Sequence, residues 1–493
     1  MYAAKYDAKE KNNYIKLFDA IEKQAVYDEN EIKLLFRNEV FIRHLPSEKN
    51  YLYNLLLDSL LALQAQDGIA YKLKKRLQQA AILTNRGLTD QSIKILRKVK
   101  EAAENNELYQ VILEALQLEK QIITRNYYAG ISQTELDAIY HSEKKCLALI
   151  SETNEYWRLF SDFYKFHYGK GSSRDVAEWD KITKLFSHPL LSDYTRASTF
   201  QTRMDFLHIH ALYHFMSGDA AQAYAFNTKQ LQLLESEPEK LKRYLKRYMA
   251  TLNNSLMDGL GLGKYNEVAT GIEKLRKLPE QYSSNVTETQ RADIFRLSSI
   301  LELNIILKRG FFSEEITKAE SIFRELHIWE NQIVKHNKLT INYLLAYVFF
   351  GAAQYKTAIK LLNNIINDTE DDVLQDIHAF ARIFSLIIHY QLNNHDLMDS
   401  LNQSTTRYLS KRSKVYQAES ILLKGLKKLS AMQHSPREKT KIFKSLYDSL
   451  LPLQNDTMEG KAFEYFDLLS WVGSKLNGQS FAYMVQQKNA SVQ

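Results

Sequence analysis

Three histidines, His208, His210 and His214, crowd into the stretch DFLHIHALYHF. On a helix, His210 and His214 lie four residues apart and share a face, the spacing that lets two imidazoles reach one metal ion. His208 points about 160° away from His210 at the helical advance per residue. The next turn, Met216-Ser217-Gly218, supplies no acid. Two ligands do not close a site, so these side chains are expected to pack or to line a groove, with no metal and no other cofactor. Two glycine-rich stretches raise phosphate binding, Gly259-Leu260-Gly261-Leu262-Gly263-Lys264 and His167-Tyr168-Gly169-Lys170-Gly171-Ser172. A P-loop needs Gly five positions before its Gly-Lys pair and Ser or Thr after it. Asp258 and Tyr265 hold those places in the first stretch, Tyr164 and Gly171 in the second. Both read as turns.

Cys146, the sole cysteine, sits in SEKKCLALI. Nearby Lys144 and Lys145 would lower its pKa if it were exposed, but an apolar helical setting favours a small buried hydrophobe. One cysteine excludes an intramolecular disulfide. No GxSxG, HExxH, CxxC or paired-acid signature occurs, and the expectation is that the chain is not an enzyme. Clusters mixing basic and aromatic residues run over Glu239 to Tyr248 (EKLKRYLKRY), 407–416 and 72–76. Interleaved Arg and Tyr can stack bases or clamp an acidic peptide, and equally well form a solvated face.

What must position these residues is helical. Gly- or Asn-bearing breaks recur about every 43 residues, at Gly87, Gly130, Gly171, Gly218, Gly263, Gly310, Ala353, Asn394, Ser435 and Gly478. Each is flanked by helical periodicity, a first helix of about 18 to 22 residues and a second of about 14 to 20. A fixed period of this size marks a repeat array in which one helix pair is copied and stacked. The 493 residues include only 16 Gly and 6 Pro, about half of average usage or less, and both types sit mainly at joints. Residues from about Lys9 to Gln66 read as three further helices. Among these, Tyr51 to Leu63 (YLYNLLLDSLLAL) is apolar on much of its circumference and is expected to be buried.

The clearest unit is Lys338 to Asn367, where Ala346 and Ala358 allow two helices to approach and Leu345, Phe349, Leu362 and Ile365 fill the space beside them. Asn254 to Pro279 repeats the pattern around Gly263, with Val268, Ile272 and Leu275. So does Ala81 to Ala103 around Gly87, with Ser92, Leu96 and Val99, and more weakly Gly218-Asp219 with Ala223. This small–large alternation resembles the tetratricopeptide repeat (TPR) family. The period departs from that family's 34 residues, so the resemblance is to a divergent, TPR-like array. It implies an all-α, right-handed superhelical solenoid of about ten antiparallel helix pairs. An N-terminal helical cap would span residues 1–67, the array 68–478 and a C-terminal helix or tail 479–493.

The chain carries 65 basic and 58 acidic residues, a net charge of +7, and its mean hydropathy is −0.38. The signs are mixed along the chain and not gathered into the stripe that nucleic-acid binders use. No apolar run behind the first residues suggests a signal peptide, and no window reaches 18 uncharged apolar residues. A cytoplasmic location is expected. The functional expectation is a non-catalytic protein–protein interaction scaffold that binds a peptide or partner helix in the groove lined by first helices. The groove candidates are Arg243, Arg247, Asn253, Asn254, Asn342 and Tyr347. Alternatives are a peptide-sensing regulator and an RNA- or ribosome-associated repeat protein. The last residues, FAYMVQQKNASVQ, are expected to fold back into the groove if anything of the chain does.

Overall fold

The computed structural model describes residues 13–24, 26–64, 68–168, 176–283, 286–368, 375–411, 416–430, 435–454, 456 and 459–490. Among these all regular structure is helical, and no helix is long and apolar enough to cross a membrane. The chain divides into two compact units, Met1–Leu159 with Asp193–Arg203, and Phe160–Ser192 with Met204–Gln493. The break predicted at Gly171 lies outside the described residues.

The first unit opens with the three expected helices, α1 (Asn13–Glu22), α2 (Glu29–Leu35) and α3 (Leu45–Gln64). The expected burial of Tyr51 to Leu63 is not found. Leu52 is buried, but Tyr51, Tyr53, Leu56, Leu57, Leu60 and Leu61 are exposed. A helix apolar all round needs neighbours all round, whereas α3 packs through one flank on α1. Then come α4 (Ile69–Asn85), α5 (Thr89–Asn105), α6 (Tyr109–Arg125) and α7 (Gln133–Tyr168), whose residues from Phe160 on belong to the second unit. The α4–α5 pair is the Ala81 to Ala103 unit read from sequence. Its Ser92 is fully buried and donates to the Ala80 carbonyl oxygen at 2.9 Å, while Leu96 and Val99 fill the seam. α7 runs 36 residues where two shorter helices were expected, because no Gly or Pro interrupts it. Cys146 is buried on it, and burial pushes its thiol up. Tyr127 and Tyr128 are exposed in the preceding turn with φ of 53° and 59°.

The second unit continues with α8 (Val176–Phe186), α9 (Phe200–Met216, its residues from Met204 on), α10 (Ala220–Glu235), α11 (Pro238–Arg243), α12 (Leu245–Gly261) and α13 (Tyr265–Gln281). It goes on through α14 (Glu288–Arg309), α15 (Ile316–Ile328), α16 (Lys335–Gly351), α17 (Tyr355–Ile366), α18 (Gln375–Gln391) and α19 (His395–Ser410). It ends with α20 (Gln417–Ser430), α21 (Pro436–Leu450), α22 (Lys461–Tyr465), α23 (Leu468–Asn477) and α24 (Phe481–Ala490). From α16 to α21 each helix packs on the next, as do α12 on α13 and α13 on α14, and α12, α14, α16, α18 and α20 touch one another in series.

The joints obey the sequence. Left-handed backbone falls at Gly87, Gly130, Gly218, Gly263, Gly310 and Gly478, and also at Ala353 (φ 59°). The break placed at Asn394 is one residue early in the structure, where Asn393 takes φ 57°. Ser435 opens α21 with a capping box to Glu438 and Pro436 in the first turn, which satisfies two otherwise orphan N–H groups. At the clearest unit Ala346 and Ala358 are both fully buried between α16 and α17.

The C-terminal segment returns onto the first helices. α24 packs on α14 as well as α23, with Gln486 Nε2 donating to the Gly310 carbonyl oxygen at 3.0 Å and Asn489 Nδ2 to that of Lys308. A side chain at Gly310 would meet the Ala482 carbonyl and Val485, so this position needs glycine for space as well as for its φ of 75°. Phe481 lies among Phe312, Tyr347, Phe350 and Phe466, with ring centroids 5.4 to 6.1 Å away. Phe466 packs on Phe384 at 4.6 Å and Tyr465 stacks on Phe380 at 4.4 Å.

Two stability effects follow. Phe481→Ala should cost about 3 kcal/mol through lost burial and the cavity it leaves, read as a fall in the denaturant midpoint. Ala353→Gly should raise stability by up to about 1 kcal/mol, because it relieves a left-handed alanine. A loss there, measured the same way, would mean that the Ala353 methyl matters more than its backbone.

Candidate functional site

Polar residues recur at helical spacing on three helices of the second unit: Asp205 and His208 on α9, Asn227 and Gln230 on α10, Thr251, Ser255 and Asp258 on α12. Spacings of three and four residues put each set on one face. All but His208 are buried. They satisfy one another in part. Gln230 Nε2 donates to the Met204 carbonyl oxygen at 2.9 Å, and Thr251 Oγ1 donates to Gln230 Oε1 at 3.0 Å. Asn227 Nδ2 donates to Asp258 Oδ2 at 2.8 Å. Arg247 pairs with Asp205 at 2.8 Å. The Tyr164 hydroxyl, from the end of α7, lies 3.2 Å from His208 Nε2.

The satisfaction is incomplete. Among the described residues, His208 Nδ1 and Asn227 Oδ1 are buried without a hydrogen-bond partner. Asp258 is 8% exposed and, among the described residues, accepts only from Asn227 and pairs with no cation. A buried carboxylate without a counter-charge is costly. Burial therefore raises the Asp258 carboxyl to about 6, with the Asn227 amide opposing the rise. Burial lowers His208 to about 3, Arg247 adds to that, and Gln230 opposes it. The imidazole is neutral at physiological pH.

These groups surround a cavity of about 410 Å³. Tyr164 and His167 of α7, His208 of α9, Asn227 of α10, and Asn254 and Asp258 of α12 give it polar walls; Leu212, Phe215 and Met257 give it apolar ones. Two other cavities, of about 490 and 530 Å³, differ in character. In the first, Asp399, Arg407, Lys424 and Lys427 are all exposed. In the second, Arg276 and Lys318 both reach Glu302. Neither holds a buried carboxylate without a cation.

The six groove candidates are not one site. Asn254 lines the cavity, Asn253 is half-buried beside it on α12, and Arg247 stands on the same helix, engaged with Asp205. Arg243 is exposed on α11 with its guanidinium 5.5 Å from the Tyr244 ring. The cluster 239–248 is thus divided between α11 and α12 at Tyr244. Asn342, half-buried, and Tyr347 lie on α16. Tyr347 is 7% exposed, and its hydroxyl accepts from the Asp467 backbone N–H at 2.9 Å beneath the C-terminal segment.

The histidine trio divides as the helical angle requires. His210 Nε2 is 3.0 Å from the Leu191 carbonyl oxygen, its ring packed among Phe186, Phe206 and Phe226. His214 Nδ1 is 3.7 Å from Asp219 Oδ2. Among the described residues no three His, Cys, Asp or Glu side chains converge as a metal would require. Sequence reasoning named Asp258 only as the residue that spoils a P-loop and passed over Asn227. The available signal was the polar stripe Thr251, Ser255, Asp258 on a helix otherwise apolar toward its neighbours.

The folded Asp258 carboxyl binds its proton more tightly than the unfolded one, whose ordinary value is 3.8. Asp258 therefore favours folding below about pH 4 and penalises it progressively as pH rises to 6 and beyond. His208 acts oppositely, penalising the fold as pH drops below 6.5. Asp258→Asn isolates the first effect: it should stabilise by about 1–2 kcal/mol at pH 7.5 and by almost nothing near pH 4, measured by urea unfolding at both pH values. No protein-family model matches the chain, and no curated protein matches it in sequence.

Proposed function

We propose that this chain is a non-catalytic scaffold for protein–protein interaction, a right-handed TPR-like superhelix of about ten helix pairs that receives a peptide or partner helix on the face of its first helices. The carrying observation is a contrast within the second unit. Over α14, α16 and α18 that face is covered by the chain's own Tyr465, Phe466 and Phe481. At α7, α9 and α12 there is instead a cavity with unmatched polar groups. The covered stretch exemplifies how an aromatic-bearing segment seats on such helices, and the open stretch is where a partner's segment would sit.

The RNA reading is weaker on charge. Lys240 and Lys242 pair with Glu237 and Glu239, Arg247 with Asp205, and Lys274 with Glu235. Basic groups held by acids this way release few counterions on meeting phosphate.

The test is capture of partners by the tagged full chain from its own cells, at low and high salt with nuclease, read by mass spectrometry. A stoichiometric protein partner should survive high salt. Asn254→Trp, which fills the cavity, should reduce its recovery at least tenfold, and Lys277→Glu on the second helix α13 should not. Recovery of nucleic acid alone, lost to nuclease or salt, would overturn the proposal, as would equal recovery by Asn254→Trp.

A further inference from the structure

The chemistry of what enters this cavity can be read from its walls. Asp258 is buried, has one oxygen on Asn227 Nδ2, and leaves Oδ1 without a protein partner among the described residues. Asn227 is 4% exposed, and its Oδ1 is a second acceptor with no donor among the described residues. Both residues line the cavity. Two unmatched acceptors, one of them charged, call for a donor-rich cation. Among the described residues no cation answers them, and Arg247 stands 2.8 Å from Asp205. The Asp258 carboxylate disfavours an anion. Among the described residues a metal ion would find a single carboxylate and no converging set of ligands.

The remaining wall specifies the rest of the ligand. Leu212, Phe215 and Met257 offer an apolar lining, suited to a short aliphatic stem, and the Phe215 and Tyr164 rings suit an adjoining positive charge. The geometry points to a binding site for an organic cation, a primary ammonium or guanidinium on a short aliphatic chain, held by Asp258 Oδ1 and Asn227 Oδ1. The inference deepens the scaffold reading, in which a partner's lysine, arginine or amino terminus supplies the cation; a free amine has the same chemistry. The raised affinity of Asp258 for a proton fits the same vacancy, the proton standing in for the cation.

The experiment is thermal unfolding of the full chain at pH 7.5 and constant ionic strength, titrated with n-butylammonium chloride, butylguanidinium chloride, 1-butanol and sodium butyrate. The two cations should raise Tm saturably, with butanol and butyrate at least tenfold weaker. Asp258→Asn should weaken the cation response at least tenfold. Asn254→Lys offers a second route, because a lysine four residues before Asp258 on α12 reaches that carboxylate; it should abolish the response while keeping the chain folded. Equal effects of butanol and butylammonium, no saturable response to either cation, or an undiminished response in both variants would overturn the site.

Acetyl-Gly-Lys-Gly-amide distinguishes the source. Binding at least tenfold tighter than butylammonium supports a partner's side chain, and binding no tighter supports a free amine; either outcome supports the cation site. A chain that binds butylammonium but captures no partner keeps the site and loses the scaffold. One that captures a partner through Asn254 yet ignores butylammonium keeps the scaffold and loses the site.

Discussion

A helix stacked between neighbours has to bury two flanks at once, and the second unit depends on how its first helices meet that demand. α16 is the extreme case. It touches α14, α15, α17 and α18, and from Leu345 to Phe350 every residue is buried. Such a stretch shows no simple apolar stripe, because almost every direction around the helix faces protein. Small residues decide how near the neighbours come. Ala346 and Ala358 lie at the α16–α17 seam, and Gly351 accepts the Phe312 ring where even a methyl group would collide. Close seams of this kind leave little room for slippage, so the position of each first helix is inherited by the next.

The chain ends by using the surface that this stacking creates. The aromatic side chains of Phe466 and Phe481 enter between α14, α16 and α18, and the amide side chains of Gln486 and Asn489 satisfy the last carbonyls of α14. Those carbonyls are among the groups a helix terminus leaves without intrahelical donors. Contacts between residues about 120 to 180 positions apart in sequence therefore complete the array.

Over α9, α10 and α12 the balance is different. There the seam holds Gln230, Thr251, Asn227 and Asp258, a partly satisfied polar network in place of a wholly apolar one. Such networks are costly when incomplete. A stretch that keeps an unmatched carboxylate beside an open cavity sacrifices stability locally.

Local rules were legible in the residues themselves. Breaks at Gly87, Gly130, Gly218, Gly263, Gly310, Ala353 and Gly478 are left-handed in the structure, because few residues tolerate that backbone and their spacing is visible directly. In the Lys338 to Asn367 unit, the buried face of α17 followed from the 3.6-residue period. The uninterrupted α7 was misread because a period of breaks was extended across a stretch with no helix breaker. Tyr51 to Leu63 was misread because apolar composition says nothing about whether partners arrive. The site was hidden for a related reason. Asp258 is an ordinary polar residue until α9 and α10 are laid beside α12, and Tyr347 is an ordinary groove aromatic until residues 466 to 481 return to cover it. Helix identity and joint positions are set by neighbours in sequence; burial, cavity and charge balance are set by which distant helices meet, and only the tertiary structure decides that.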